Sequence, residues 1–513
     1  MAIQAADVWF STFAVLLTIF LLRCLHRRRP NLPPGPRAWP VIGNLFLIGP
    51  SHHKSLDVLS QKYGPIMHLW LGSNSVVVGS SVKMAEAFLK THDGSLASRP
   101  RTAAGKFTSF DHSNIFWAPY SPYWRQVRKL CYTELFSPKI LESYECIRKE
   151  EIRIMANQLY SSSGKTIFLK DYLNVFNLNI ISRMVLGKTY VKKTENAVIT
   201  PDEFKWMLDE FLLLNSGFLN IGDFIPWLEL LDLQGYVKRM KLVSKKFERF
   251  LEHILNKHND RRKGIKNYVA RDMVDLLLQA ADDPSLEVKL QRHHVKAITQ
   301  DLLIGGTQSS SITVEWAMSE LLKKPQVLKE AQQELDNVVG RNRWVEEQDM
   351  VNLPYIKAIV KETMRLHPVL PTLVPREARE HCKIAGYDIP KGTRVILNVW
   401  AIGRDPTVWA WPNEFKPERF IDGPAKEIDV KGYDFELLPF GAGRRMCPGY
   451  LLGLKVIQSS LANLVHGFRW RLHGNMKEHD LNMEEAYGLS IAKKVPLEAR
   501  VEPRLPLHLY SLD

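Results

Sequence analysis

Phe440-Gly441-Ala442-Gly443-Arg444-Arg445-Met446-Cys447-Pro448-Gly449 places one thiol at the end of a glycine-rich loop, directly behind two arginines. An apolar run from Tyr450-Leu451-Leu452-Gly453-Leu454 onward follows and predicts a helix. Each part has a use if Cys447 is the thiolate ligand of a haem iron. A thiolate pushes electron density onto the iron and favours O–O cleavage. Gly441 and Gly443 let the backbone approach a flat macrocycle and take up positive φ. The free N–H groups at the start of the following helix would stabilise the sulfur's charge. Pro448 fits that helix's first turn, where no N–H is required. Arg445 would reach a haem propionate through a charge-assisted hydrogen bond. A lone cysteine is ordinarily a small buried hydrophobe; the ten-residue setting weighs against that reading here.

The loop resembles the haem-binding signature of the cytochromes P450, Phe-x-x-Gly-x-Arg-x-Cys-x-Gly, at Phe440, Gly443, Arg445, Cys447 and Gly449. The resemblance runs along essentially the whole chain and is nearest to plant A-type microsomal P450s. It implies haem b with Cys447 as its axial ligand, cofactor contacts from Phe440, Gly441 and Arg445, and O2 with NADPH-derived electrons as co-substrates.

A length of 513 residues would allow about three domains. Yet past the first forty or so residues no low-complexity stretch, linker or repeat breaks the chain, which predicts one large domain. The five cysteines, Cys24, Cys131, Cys146, Cys382 and Cys447, lack paired spacing, so neither a zinc ribbon nor a disulfide framework organises the fold. The net charge of +14 suits nucleic acid, an anionic membrane or an acidic partner. No nucleic-acid motif accompanies it, which leaves the membrane and an acidic protein.

Val8 to Leu22 carries no charge, and Arg23 and His26-Arg27-Arg28-Arg29 follow it. With its flanks this approaches the roughly 20 residues that cross a bilayer. Positive charge after the apolar run, rather than before it, fits a retained anchor better than a cleaved signal peptide. The positive-inside rule then puts everything beyond the anchor in the cytosol. Residues 1–29 are therefore expected to be a transmembrane anchor with a basic stop. Residues 30–44, rich in prolines that fix φ, are expected to be a stiff spacer. Residues 45–513 are expected to be the catalytic domain. By resemblance the spacer is the hinge that seats a microsomal P450 on the endoplasmic reticulum.

Helical periodicity dominates the body, for example Phe247 to His258 and Asp272 to Ala280. Ile66 to Leu71 and Ser75 to Val78 flank Gly72-Ser73-Asn74 as a hairpin, and Val395 to Val399 reads as another strand. The fold class is mainly α with small β-sheets (α+β), which the resemblance sharpens to the P450 fold. Trp124 and Arg128 lie four apart, on one helix face; in the family such a pair holds a haem propionate. Glu362 and Arg365, with Arg419, resemble the family's buried charge triad. Prolines break Leu366 to Arg376 into extended chain that by resemblance passes the haem edge. Arg376 would then be a further propionate partner, and Thr372 and Leu373 would face substrate.

Leu302-Leu303-Ile304-Gly305-Gly306-Thr307-Gln308-Ser309-Ser310 predicts one long buried helix with two adjacent glycines. Each glycine costs about 1 kcal/mol relative to Ala, which makes sense where a helix bulges or admits a ligand to its backbone. The segment resembles the P450 motif [Ala/Gly]-Gly-x-[Asp/Glu]-Thr-[Thr/Ser], and Gly306, Gln308 and Ser309 are its candidate catalytic residues. Ser309 keeps a hydroxyl where the family has threonine. Gln308 stands where the family has an acid; it can orient water but cannot ionise.

Three activities stay open on the sequence. They are a monooxygenase driven by NADPH–cytochrome P450 reductase, a reductase-independent haem-thiolate isomerase or dehydratase, and a silent haem-binding protein. Arg125, Lys129 and Arg444 are candidates for docking an acidic reductase. Phe107, Phe110, Ile115, Phe116, the stretch Phe211 to Leu214, and Leu489 are candidates for lining a pocket for a small lipophilic substrate. Terpenoid alcohols, including their cleavage to homoterpenes, come first; phenylpropanoid, flavonoid or lignan hydroxylation comes second.

Overall fold

His52–Tyr63 forms helix α1 and leads into two strands, Ile66–Leu71 (β1) and Asn74–Gly79 (β2). They pair antiparallel with Leu71 opposite Asn74, so the turn is Gly72-Ser73 alone. The computed structural model describes residues 30–190, 198–216, 220–474, 476–486 and 488–512. The expected anchor, residues 1–29, lies outside them. Among the described residues no helix is long and apolar enough to cross a membrane. Residues 30–44 do not stand off as a spacer. The His68 N–H donates to the Pro34 carbonyl (2.9 Å) and the Gly72 N–H to that of Ile42 (3.1 Å), so the segment lies along β1.

The elements that build the site follow in order. They are α2 (Ala103–Thr108), α3 (Pro122–Leu130), strand β3 (Thr166–Phe168), α4 (Leu169–Leu186), α5 (Pro201–Leu214), α6 (Tyr236–Arg262) and α7 (Met273–Asp282). Then come α8 (Arg292–Thr307), α9 (Ser309–Lys323), α10 (Pro354–Leu366), strands β4 (Arg376–Glu377), β5 (Cys382–Ile384), β6 (Tyr387–Ile389) and β7 (Arg394–Leu397), and finally α11 (Tyr450–Gly467), β8 (Phe468–Leu472) and β9 (Glu498–Pro503). The strands form three small sheets, ordered β1-β2-β7-β4, β3-β9-β8 and β5-β6. The strand expected to reach Val399 stops at Leu397, because the Asn398 side chain accepts the Ala401 N–H and caps a short helix instead.

Helices α8 and α9 run through the centre, with α4 beside both and α10 and α11 against α9. Every residue from Ser310 to Leu322 is buried, Glu315 and Glu320 included, so this helix has no solvent face. One buried ion cluster braces the far side of the core. Glu362 accepts from Arg365 Nε and Nη2 (2.7 and 2.8 Å), Arg419 Nε (3.0 Å) and the Lys416 N–H (2.7 Å). Glu362 and Arg365 are essentially inaccessible, so their charges persist only because they satisfy each other.

Candidate functional site

The Cys447 loop is held by its own backbone. The Cys447 N–H donates to the Phe440 carbonyl (2.9 Å), and Gly441 and Gly443 both sit at φ +67°. Gly443 needs its lack of a side chain twice over, since a Cβ there would strike the Leu89 carbonyl and Asp93 Oδ1 (2.6 Å). Helix α11 starts at Tyr450 with Gly449 as its cap, so Pro448 precedes the helix instead of entering its first turn. Burial pushes the Cys447 thiol up, against the Gly449 N–H and the Arg128 charge, both of which favour thiolate. The sulfur lies deep in the fold, yet Cys447 is not packed over.

Four guanidinium groups crowd around this loop. Arg445 donates to the carbonyls of Ala97 (2.7 Å), Ile115 (3.3 Å) and Ala118 (2.6 Å) and stacks 4.1 Å from the Trp124 ring centre. Arg99 donates to the carbonyls of Phe116, Val374 and Pro375. Arg128 donates to the Tyr132 hydroxyl (2.6 Å), and Arg376 pairs with Asp93 (2.5 Å) and the Ala442 carbonyl (2.8 Å). Burial, then repulsion by Arg376 and Arg128, pushes Arg445 down to about 9. Burial, Arg445 and Arg376 likewise push Arg99 well below the usual arginine range. Asp93 faces Arg376 and also pairs with Arg444 (3.0 Å), so one buried carboxylate is shared between them. Trp124 and Arg128 do not meet a common acceptor in the chain: the Trp124 indole N–H donates to the Ile115 carbonyl (3.0 Å).

The long helix expected from the sequence is broken. Helix α8 ends at Thr307, α9 begins at Ser309, and Gln308 between them has φ −104° and ψ −30°. Hydroxyls weaken the ladder there: Ser309 donates to the Gly305 carbonyl (3.0 Å), Ser311 to Thr307 (3.3 Å) and Thr313 to Ser309 (3.1 Å). The two glycines do different work. A Cβ at Gly306 would meet Ile181 Cδ1 of α4 at 2.6 Å, so Gly306 permits helix packing and does not face a ligand. A Cβ at Gly305 would meet nothing within 4 Å, and Gly305 and Ser309 are exposed within an otherwise buried stretch. They share one face, one turn apart. The Gln308 amide does not point along that face; its Nε2 donates to Asp209 Oδ1 of α5 (2.6 Å).

An apolar recess is lined by Phe116, Trp117, Leu370, Thr372, Leu373, Val374, Leu489 and Ile491 with Asn215 and Ser216. Leu373 reaches the Cys447 loop, its Cδ1 standing 3.7 Å from where a Gly441 side chain would begin. Asp301 of α8 fixes the wall. It accepts the Ile115 and Phe116 N–H groups (2.7 and 3.2 Å) and the Asn114 side chain (2.7 Å). Phe116, Thr372, Leu373 and Leu489, expected to face substrate, line this recess. Phe107 does not: its ring packs between the ammonium groups of Lys106 and Lys241, at 5.1 and 5.0 Å. Phe211 and Leu214 are core, Phe211 edge-on to Phe247 at 6.0 Å.

A sequence profile of the cytochrome P450 family matches residues 33–496. The chain belongs to the cytochrome P450 family. Trimethyltridecatetraene synthase of Zea mays is 46% identical over 97% of this chain and 94% of that protein. Dimethylnonatriene synthase of Zea mays is 44% identical over 99% of both. Flavonoid 3'-monooxygenase of Petunia hybrida is 43% identical over 99% of this chain and 100% of its own. A zebra fish P450 solved with abiraterone matches with a TM-score of 0.73 at 25% identity, covering 88% of this chain and 99% of that one. This P450 is thus a monooxygenase, and the family implies a haem ligated by a cysteine thiolate.

The residues present fit that group. Buried cations crowded together are costly without counter-charge, and Arg99, Arg128, Arg376 and Arg445 have only Asp93 among the described residues. Two propionate carboxylates supply the missing charge. The deep unpacked thiol of Cys447 and the side-chain-free face at Gly305 suit the ligand and the ring. Sequence reasoning missed Arg99, Asp93, Asp301 and Asp209. Ser98-Arg99-Pro100 carries no periodicity, and each carboxylate finds its partners far along the chain.

Proposed function

We propose that this monooxygenase inserts one oxygen of O2 into a small lipophilic plant specialised metabolite, with electrons from NADPH–cytochrome P450 reductase. Terpenoid alcohols, including oxidative cleavage to homoterpenes, come first, and phenylpropanoid, flavonoid or lignan hydroxylation second. The observation that carries the reading is the Cys447 loop, crowded by buried guanidinium groups and reached by Leu373 of the apolar recess, with Gly305 and Ser309 on an open helix face. The order of substrates is supported by the relatives that form homoterpenes and by a recess lined mainly by aliphatic and aromatic side chains.

When bound, haem supplies the activation of O2. Cys447 would ligate the iron, and Arg99, Trp124, Arg128, Arg376 and Arg445 would hold the propionates. Phe440 and Gly441 would let the loop approach the ring closely. Ser309, whose hydroxyl now donates to the Gly305 carbonyl, turns on χ1 to present its proton on the open face. Phe116, Leu373 and Leu489 exclude water and orient substrate. Arg125 and Lys129 on α3 are exposed, and Arg444 is half exposed beside the Cys447 loop, which suits an acidic reductase.

The proposed seat is the cytosolic face of the endoplasmic reticulum, with residues 1–29 as a single-pass anchor. Trp227 and Leu230 are 64% and 92% exposed, and Leu231, Leu233, Trp39, Val41 and Phe46 are open too. These groups are neighbours, because Gly72 bonds to Ile42 while Ser73 bonds to Phe224. An exposed apolar surface of this kind suits a bilayer. The test is turnover of a mixed terpenoid and phenolic panel by microsomes containing the protein and reductase, with and without NADPH. NADPH-dependent oxygenation of panel members is expected; equal turnover without NADPH would overturn the reading.

A further inference from the structure

Position 308 carries an amide where the related motif carries an acid, and that amide is spent on a carboxylate from the neighbouring helix. Gln308 Nε2 donates to Asp209 Oδ1 at 2.6 Å, across the α5 to α8–α9 boundary and at the break itself. Gln308 is the residue immediately before Ser309, the hydroxyl on the open face. Asp209 is open to solvent on one side and packed on the other. We propose that Asp209 supplies the carboxyl that position 308 lacks, taking a proton from solvent and passing it, through water held beside Gln308, to the hydroxyl of Ser309. The inference rests on the monooxygenase reading.

The exchange balances without a new reactant. A proton leaves bulk water, protonates the Asp209 carboxylate, and moves on as the carboxylate re-forms; the electrons come from NADPH through the reductase. Burial raises Asp209 above the usual carboxylate range, while Lys205 on its own helix, Lys170 at the start of α4 and the Gln308 bond pull it back. A carboxyl held above its ordinary range gives up its proton less readily than a free one, and the solvent-open side of Asp209 lets it be recharged. Gln308 itself never ionises, so its part is to fix the carboxyl's orientation. Asp209 is therefore a positioning and proton-supplying group acting through its neighbour.

The experiment uses the full-length haem-loaded enzyme with reductase and compares product formed, NADPH consumed and hydrogen peroxide released across pH. Asp209→Asn is expected to lower product per NADPH by about tenfold or more, to raise peroxide to match, and to flatten the pH profile. Substrate-induced spectral shifts should stay unchanged. Asp209→Glu should retain coupling, and the exchange Asp209→Asn with Gln308→Glu should restore it by returning the acid to position 308. Infrared titration of the resting protein should show a carboxyl above the ordinary range that disappears in Asp209→Asn. Coupling unchanged in Asp209→Asn would overturn the proposal, as would a loss equal in all variants, which marks a mere helix tie. Failure of the monooxygenase reading looks different: the wild-type enzyme itself would form no product with NADPH.

Discussion

Replacing Asp301 by Asn separates the cost of burying a charge from the value of the bonds it makes. Asp301 is half-buried on α8, and desolvation raises its carboxyl to about 7 despite the Phe116, Ile115 and Asn114 donors that lower it. Its folded pKa lies above the unfolded value of 3.8, so the stability it contributes is full below that value and is lost as pH rises through 7. At 1.36 kcal/mol per unit the loss between pH 4 and pH 8 is about 4 kcal/mol. Below pH 5 the protonated acid and the amide are alike: each turns one donor toward a ring of N–H groups. The Asn114 amide cannot flip to help, because its Oδ1 accepts the Trp117 N–H at 2.8 Å. The Asn variant should therefore match the wild type near pH 5 and outlast it at pH 8, where only the wild type pays for burying charge. Thermal unfolding of the haem-loaded protein, followed by the haem absorbance and by tryptophan fluorescence, reads this directly. If Asp301→Asn is destabilised as much at pH 8 as at pH 5, the three hydrogen bonds outweigh desolvation and the reasoning fails.

Glu485 should show the opposite pH dependence. Burial would raise it, but the His53 and Lys54 bonds prevail and hold it at about 2, so its contribution is present above pH 4.5 and lost as pH falls toward 2. A charge-neutral Glu485→Gln should remove that acid slope in a pH-unfolding series. Gly443→Ala adds about 1–2 kcal/mol of left-handed strain and drives a methyl into the Leu89 carbonyl, so haem content per purified protein should drop sharply. Among the described residues Arg128→Leu gives up the Tyr132 contact, yet it removes a charged partner worth about 1.5–3 kcal/mol to a carboxylate. It should weaken haem retention by roughly 10–100-fold in a transfer assay with little change in haem-free stability. Glu362→Gln leaves Arg365 and Arg419 facing an amide in the core, at about 3–5 kcal/mol, and should abolish the soluble folded yield of the catalytic domain.

What the sequence made legible was local. The Cys447 loop, the Gly72-Ser73 hairpin and the Glu362–Arg365 pair each rest on spacings within one turn or one helix face. The partners of the buried charges were not local. Asp301 meets Ile115, and Arg376 meets Asp93, only after the fold has brought distant segments together. The glycine pair read as a bulge or as an opening for a ligand, because composition cannot tell a residue facing a helix from one facing a ligand. Gly306 proves to face Ile181 and Gly305 the open side, while the break falls at Gln308, where side-chain hydroxyls compete for the carbonyls. The stripe Phe211 to Leu214 reads equally as pocket or core, and the ring of Phe247 decides for core.

The hairpin tip joins two parts of the molecule that the sequence keeps apart. Its Gly72 N–H holds the Ile42 carbonyl of the leading segment, and its Ser73 N–H and hydroxyl hold the Phe224 carbonyl just beyond α5. A side chain at Gly72 would strike that Phe224 carbonyl, so the junction tolerates no slack. The two-residue turn is thus a mechanical coupling between the leading segment and the stretch around Phe224, and a displacement of one is carried to the other.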